Sequence, residues 1–313
     1  MCRATTNRSV CSERSILPAV PSPTIDPPTG DNAMAQRYLD LLKGCLTRDL
    51  FPDDEVLDVL HWQPSEVLGP PNDVWDVLHA NGWRLVRRMS ADDRSTIGQD
   101  WIPGSAETMV SRARLDNVEA LVRRVVAEGV RGDLVETGVW RGGTVILMKA
   151  VLATLGVTDR TVWVCDSFQG LPEPDPDRYP ADASMQVSNP DAKAILDLGL
   201  AVSVEQVKAN FARYGLLDDQ VRFVEGWFSE SLPTAPIGDV AVLRLDGDLY
   251  ESTMDALVNL EPRVSPGGFV IIDDYGCIPA CQEAVHDYRK KHSIEAEIHP
   301  VDWTGAYWRK PLG

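Results

Sequence analysis

VAVLRLDGDLYEST, residues Val240 to Thr253, decides the fold. Val240, Val242, Leu243 and Leu245 form a nearly continuous apolar run, the pattern of a parallel strand covered on both faces. The run stops at Asp246, and Gly247 and Asp248 lead into Tyr250, Glu251, Ser252 and Thr253. Polar residues at the carboxyl end of such a strand stand where open α/β sheets hold ligands. A second stretch, GGFVIIDDY from Gly267 to Tyr275, repeats the design and ends in Asp273 and Asp274. Two strands therefore send carboxylates to one rim.

Working outward, the region after Leu115 alternates strand and helix patterns. Leu115, Val118, Leu121, Val122, Val125 and Val126 mark one helical face,. Strands are expected at 133–139, 161–168, 221–228, 240–246 and 268–273, and helices at 144–155, 204–214, 252–264 and 280–292. A Pro-rich loop fills 171–190. Segments 296–301 and 306–309, joined across Thr304-Gly305, read as a terminal hairpin. Alternation of this kind predicts an α/β, doubly wound parallel sheet with an antiparallel edge at its end.

Ahead of that region the pattern is weaker. Residues 1–33 are rich in Ser, Thr and Pro and are expected to be a disordered leader, with Met34 a candidate start,. Residues 34–114 are expected to form a small helical layer and a lid. Ala35 to Cys45 puts Tyr38, Leu41, Leu42 and Cys45 on one stripe, suited to packing between copies of the chain in a homo-oligomer. Leu57 to His61 and Val74 to Leu78 add short amphipathic pieces. The aperiodic stretch Met89 to Ser111 has the length of a binding lid. Residues 115–313 would form the ligand-binding domain.

Composition narrows the partners. Asp and Glu number 47 against 30 Lys and Arg, a formal net charge of −17 at pH 7. That excess argues against nucleic acid or an anionic membrane surface. No apolar run reaches the ~18 residues of a membrane span. The 6 cysteines lack disulfide-framework spacing, which fits a reducing, cytoplasmic setting,.

Several strand ends carry chemistry. ETGVWRGGT, Glu136 to Thr144, places Glu136, Thr137 and Gly138 at a turn and Gly142 and Gly143 at the start of the next helix. Such glycines let backbone approach a ligand closely, although a tight turn without a ligand also explains them. The spacing is wider than GxGxxG, which argues against a nicotinamide dehydrogenase. TVWVCDSF ends in Asp166 and Ser167, placed to meet a ribose diol or simply to finish the strand. Gly226, Trp227 and Phe228 end the next strand, where the aromatics either cover a planar base or pack into the core. Asp246, Asp273 and Asp274 are hard oxygen donors suited to Mg²⁺, and an ion would relieve their mutual repulsion. Capping and solvated strand ends are the alternative reading, which Asp248 fits better. His286, inside a helix pattern, reads as an ordinary helix-face histidine.

Together ETGVWRGGT, CDSFQGLPEP, VEGWFSESLP, LRLDGDLYEST, PGGFVIIDDYG and VDWTGAYWRK resemble the macrocin O-methyltransferases and the related aminocoumarin sugar O-methyltransferases, over residues 34–311. The resemblance implies a class I S-adenosylmethionine-dependent fold, a seven-stranded sheet with its last strand reversed. It implies S-adenosyl-L-methionine and Mg²⁺ as cofactors and a small-molecule glycoside as acceptor. Glu136, Gly138, Gly142 and Gly143 would line the methionine part, Asp166 and Ser167 the ribose, and Gly226, Trp227 and Phe228 the adenine. Asp246, Asp273 and Asp274 would hold the metal, with Asp246 also the base that deprotonates the acceptor hydroxyl. A catechol-type enzyme and a non-catalytic nucleotide-binding protein on the same fold are the competing expectations. One departure stands out. Where the family carries His-Thr-Met before RLDN, this chain reads Ala106-Glu107-Thr108-Met109, which puts the acceptor and any proton handling by that loop in question.

Overall fold

A computed structural model of the chain describes residues 31–50, 56–58, 86–88, 106–185 and 199–312. Among these, β3 (Asp133–Thr137), β4 (Val162–Asp166), β5 (Val221–Glu225), β6 (Val240–Leu245), β7 (Val264–Ile272), β8 (His299–Pro300) and β9 (Ala306–Arg309) form a 7-stranded sheet. Its order is β5-β4-β3-β6-β7-β9-β8. β3 to β7 run parallel, and β9 runs antiparallel to β7 and β8. The expected doubly wound sheet with its reversed last strand is the observed one.

β6 lies at the centre, and all its residues are buried. Ala241, Val242 and Ile271 pack toward α2 (Arg112–Ala127) and α3 (Gly143–Thr154). Val240, Leu243 and Leu245 pack on the other side against α6 (Tyr250–Leu260) and α7 (Pro279–Lys291). Between these, α4 (Val204–Arg213) precedes β5, and α5 (Phe228–Ser231) is a single turn after it. Each fully buried Val, Leu or Ile contributes about 1.5–3 kcal/mol relative to exposure, so the two faces explain why this strand pattern tolerates little polarity. The polar exception in the strand is Arg244, 1% exposed.

Register delivers the site. Cys165, Thr137, Leu245 and Ile272 stand side by side across four strands. The residue after each continues the ladder: Gly138 N donates to Cys165 O, Asp246 N to Thr137 O and Asp273 N to Leu245 O, each at 2.9 Å. Asp166, Gly138, Asp246 and Asp273 therefore meet at one carboxyl edge. Gly138 has φ +77, and a Cβ there would overlap the main-chain oxygen of Asp246. Only glycine fits where these two strands close together.

The structure differs from expectation in three further places. α1 runs from Asp31 to Thr47, so residues 31–33 belong to a helix rather than to a leader; an acidic first residue suits the positive end of a helix. Leu57 and Asp58, the start of the amphipathic piece expected at Leu57 to His61 in the helical layer, lie in a strand, β1 (Val56–Asp58), paired antiparallel with β2, Val86–Arg88. Its β-branched start favours that pairing. Within the Pro-rich loop, Pro180–Met185 forms a 3₁₀ turn. The expectations for residues 1–30, Val74 to Leu78 and 89–105 lie outside the described residues.

Candidate active site

Beneath the carboxyl edge lies an ion-pair network buried in the sheet. Glu136 on β3 stands opposite Arg244 on β6 in the register, and the two are joined directly. Arg244 Nη1 also donates to Asp246 Oδ2 at 2.9 Å, while its Nη2 pairs with Asp273. Arg114, from the first turn of α2, takes the other oxygen of Asp273, and its Nε lies 3.3 Å from Asp302 Oδ2. Ser111 caps α2 by accepting from Arg114 N at 3.3 Å and donates its hydroxyl to Asp302 Oδ2 at 2.6 Å. One helix start thus fixes the cation and its second carboxylate together.

These contacts separate the carboxylates. Burial raises the pKa of Asp273, yet Arg114 and Arg244 outweigh it and hold the group below the usual range. Burial pushes Asp246 up to about 6, with Asp273 adding to the rise and Arg244 opposing it. Asp248 rises to about 7 through burial and the charges of Asp246 and Asp273, with no described cation opposing them. Asp274 goes well above the carboxylate range through burial and the three neighbouring aspartates. The repulsion therefore concentrates on one side of the network.

That side brings three carboxylates close together. Oxygens of Asp246, Asp248 and Asp274 all lie within 4.8 Å of one another, a spacing compatible with one hard ion bound through oxygen,. The expected trio of Asp246, Asp273 and Asp274 differs from this close group in one member. Both Asp273 oxygens are engaged by buried guanidinium groups, and Asp248, read from sequence as a turn residue, is the third carboxylate of the group. The reason is conformational. Asp248 has φ +58, and this left-handed step after Gly247 turns its carboxylate back to the cluster,.

A cavity of about 560 Å³ opens over the cluster. Of the residues expected at a cofactor, Glu136, Gly138, Asp166, Ser167, Trp227 and Phe228 line it, whereas Thr137, Gly142, Gly143 and Gly226 do not. Gly143 faces the preceding loop instead: a Cβ there would lie 2.6 Å from Glu107 O and from Thr108 Cβ. Asp166 Oδ2 accepts from Val139 N at 2.7 Å and Oδ1 from Phe168 N at 2.7 Å, so this carboxylate knits two turns of the cavity wall. Burial raises its pKa despite those amides. Glu136, raised to about 8 chiefly by burial and against the pull of Arg244, keeps one buried oxygen without a hydrogen-bond partner.

Sequence reasoning missed Arg114, Arg244, Trp140 and Trp303 at this site. A charged residue inside the apolar run VAVLRL was the available signal for Arg244. Trp303, on the turn before β9, is 54% exposed and lines the cavity. Glu107 lies behind the wall, where Tyr214 Oη donates to it at 2.9 Å and Arg213 lies at 3.3 Å; Thr108 and Met109 face the cavity instead. His286 is exposed, bonded to Tyr275 Oη at 2.8 Å, and does not line the cavity.

Comparison with known proteins agrees with this architecture. The family model described as macrocin O-methyltransferase (TylF) matches residues 35–310. A Streptomyces olivaceus protein, 8-demethyl-8-(2,3-dimethoxy-alpha-L-rhamnosyl)-tetracenomycin-C 4'-O-methyltransferase, is 50% identical over 272 residues, covering 87% of this chain and 92% of its own. Mycinamicin III 3''-O-methyltransferase of Micromonospora griseorubida is 52% identical over 235 residues, 75% of this chain and 90% of its own. The solved O-methyltransferase NovP superposes with a TM-score of 0.73 at 42% identity, covering 88% of this chain and 99% of that one.

Proposed function

The chain belongs to the macrocin O-methyltransferase family, and on that premise we propose that it methylates a sugar hydroxyl of a glycosylated natural product, with Mg²⁺ held by Asp246, Asp248 and Asp274. It is an S-adenosylmethionine-dependent O-methyltransferase; the acceptor class and the ion are the proposal. The observation that carries the reading is the meeting of three carboxylates under the cavity, on the rim it shares with Asp166 and Gly138. The relatives named for methylating rhamnosyl and macrolide substrates point to the same acceptor class.

Glu136 suits the cationic methionine part of the cofactor, because it lines the cavity and keeps a buried oxygen without a hydrogen-bond partner. Asp166 and Ser167 would meet the ribose, and Trp227 and Phe228 the adenine. S-adenosylmethionine supplies an electrophilic methyl, and Mg²⁺ supplies a positive centre that eases ionisation of a hydroxyl.

The protein's own part is placement and proton transfer. A sugar hydroxyl must sit at near-attack distance, about 3–3.5 Å, behind the methyl. Asp248 takes its proton. Asp246 was the expected base, but its Oδ2 is already engaged by Arg244, whereas Asp248 faces no cationic side chain among the described residues. Arg114 and Arg244 hold Asp273 ionised, so it accepts no proton and keeps the rim fixed. The chain is read as working in the cytoplasm on diffusible acceptors; no described helix is long and apolar enough to cross a membrane.

The decisive experiment offers labelled S-adenosylmethionine with rhamnosyl-bearing glycosides and, separately, with catechols. Label in the sugar is the expected result. Label in phenols alone would replace the sugar reading with a catechol-type one.

A further inference from the structure

α6 begins two residues after Asp248, yet it has no cap of its own. Leu249 occupies the cap position and offers no side-chain acceptor. The acceptor comes from elsewhere in the chain. Asp182, in the 3₁₀ turn of the loop after β4, takes Tyr250 N on Oδ1 at 2.6 Å and Glu251 N on Oδ2 at 3.2 Å. Its side chain is 0% exposed, so both oxygens are committed to these amides.

Around this contact the loop docks on the same helix turn. The Tyr179 and Tyr250 rings lie 5.8 Å apart, and Arg178 stands 3.9 Å from Glu251. Asp182 N donates to Tyr179 O at 2.9 Å, which closes the turn on itself. At its other end the loop leaves Asp166 and Ser167 and lines the cavity through Gly170 to Glu173. A buried carboxylate thus ties the cofactor side of the cavity to the start of α6.

The consequence falls on Asp248. A non-glycine residue at φ +58 stands in the left-handed region that L side chains seldom adopt, and it persists only where its surroundings fix it,. On one side the 246–249 turn is held by β6, where Asp246 N donates to Thr137 O. On the other it is held by the first turn of α6.

We propose that Asp182 is a positioning residue of the acidic cluster: by capping α6 it keeps Asp248 turned toward Asp246 and Asp274. The proposal rests on the reading of those three carboxylates as the seat of a divalent ion. It assigns the Pro-rich loop a second task besides lining the cavity.

The test compares full-length wild type with Asp182→Ala and Asp182→Asn, at a temperature where circular dichroism shows all three folded. Mn²⁺ affinity, S-adenosylmethionine affinity, acceptor KM and kcat are measured for each. Asp182→Ala is expected to lose about tenfold in Mn²⁺ affinity and in kcat, the size of one lost cap. Acceptor KM and cofactor affinity should hold. Asp182→Asn should recover part of the loss, because its one amide oxygen can still accept from Tyr250 N,. Wild-type kcat and Mn²⁺ affinity in folded Asp182→Ala would overturn the proposal, as would equal losses in the two variants. If wild type itself binds no Mn²⁺, the ion site is wrong and the kcat comparison alone decides Asp182.

Discussion

Arg244 on β6 and Asp246, just past the strand's end, are joined by a hydrogen bond of 2.9 Å from Nη1 to Oδ2. The same guanidinium reaches Glu136 on one neighbouring strand and Asp273 on the other. One buried cation therefore sets the spacing of three strand ends, and the rim is rigid before any ligand arrives. This is the arrangement a site needs if its reacting groups are to be fixed to within a fraction of an ångström.

Replacing that cation should unfold more than it inactivates. Arg244→Leu leaves Glu136, Asp246 and Asp273 buried without their partner, a loss of about 3–5 kcal/mol. Arg244→Lys should recover little, since one ammonium cannot serve three carboxylates in the planar fork. Urea unfolding measures both. A Leu variant within 1 kcal/mol of wild type would show that the network contributes little to stability.

The two aspartates of LDGDL should fail differently. Asp248→Asn is expected to reduce kcat at least about a hundredfold, the scale of a lost general base, with cofactor affinity unchanged by equilibrium dialysis. Both changes remove a carboxylate from the ion, but Asp246→Asn should also loosen Arg244, which appears as a lower Tm. If Asp248→Asn keeps its kcat, Asp246 returns as the proton acceptor.

How much of this was visible in the residues follows from which contacts are local. β6 and β7 were legible because long apolar runs ending in Asp-Gly-Asp and Asp-Asp have few other readings. The terminal hairpin was legible from its Thr304-Gly305 turn. The partners of Asp273 were not legible, because sequence does not show that its oxygens meet Arg114 and Arg244, which lie 159 and 29 residues away. The neighbours of Asp248 were hidden for a related reason: an aspartate after glycine reads as a turn, and only the structure brings its carboxylate beside Asp246 and Asp274. Glycines 142 and 143 looked like ligand contacts, but they serve the close approach of the 107–108 loop and α4.

Glu107 should matter for stability and not for acceptor choice. It is 5% exposed and bonded to Tyr214. Glu107→Leu is expected to cost about 1–3 kcal/mol by leaving the Tyr214 hydroxyl unsatisfied. The ranking of acceptors by kcat/KM should stay as in wild type. A reordered ranking would return this residue to the substrate side.

Chelation tests the ion without a mutation. EDTA followed by desalting should abolish methyl transfer, and added Mg²⁺ should restore it. Ion binding favours the ionised form of the cluster, so Mg²⁺ should also raise the Tm of wild type. Asp274→Asn should lose that Tm response. Full activity in the chelated enzyme would leave the three carboxylates without a metal role.

The pH dependence of stability should reveal the tie between α1 and α2. Lys43, 2% exposed on α1, lies 2.5 Å from Glu119 Oε2 and 2.5 Å from Asp116 Oδ1 on α2, and Arg123 Nε donates to Glu119 Oε1 at 2.7 Å. Burial raises the pKa of Glu119, but the hydrogen bonds from Lys43 and Arg123 outweigh it and hold the group below its ordinary value of 4.5. A carboxylate whose folded pKa is depressed binds its proton more readily when unfolded. Its stabilisation is complete above the unfolded pKa and is lost as pH falls through the folded one. Glu119→Gln removes this titration. The stability advantage of wild type over Glu119→Gln, followed by urea unfolding from about pH 6.5 down to about pH 3.5, should therefore hold level above 4.5 and shrink below it. An advantage that stays constant to the acid limit would mean that Glu119 is not depressed, and that α1 is held by its buried Leu39, Leu42 and Leu46 instead.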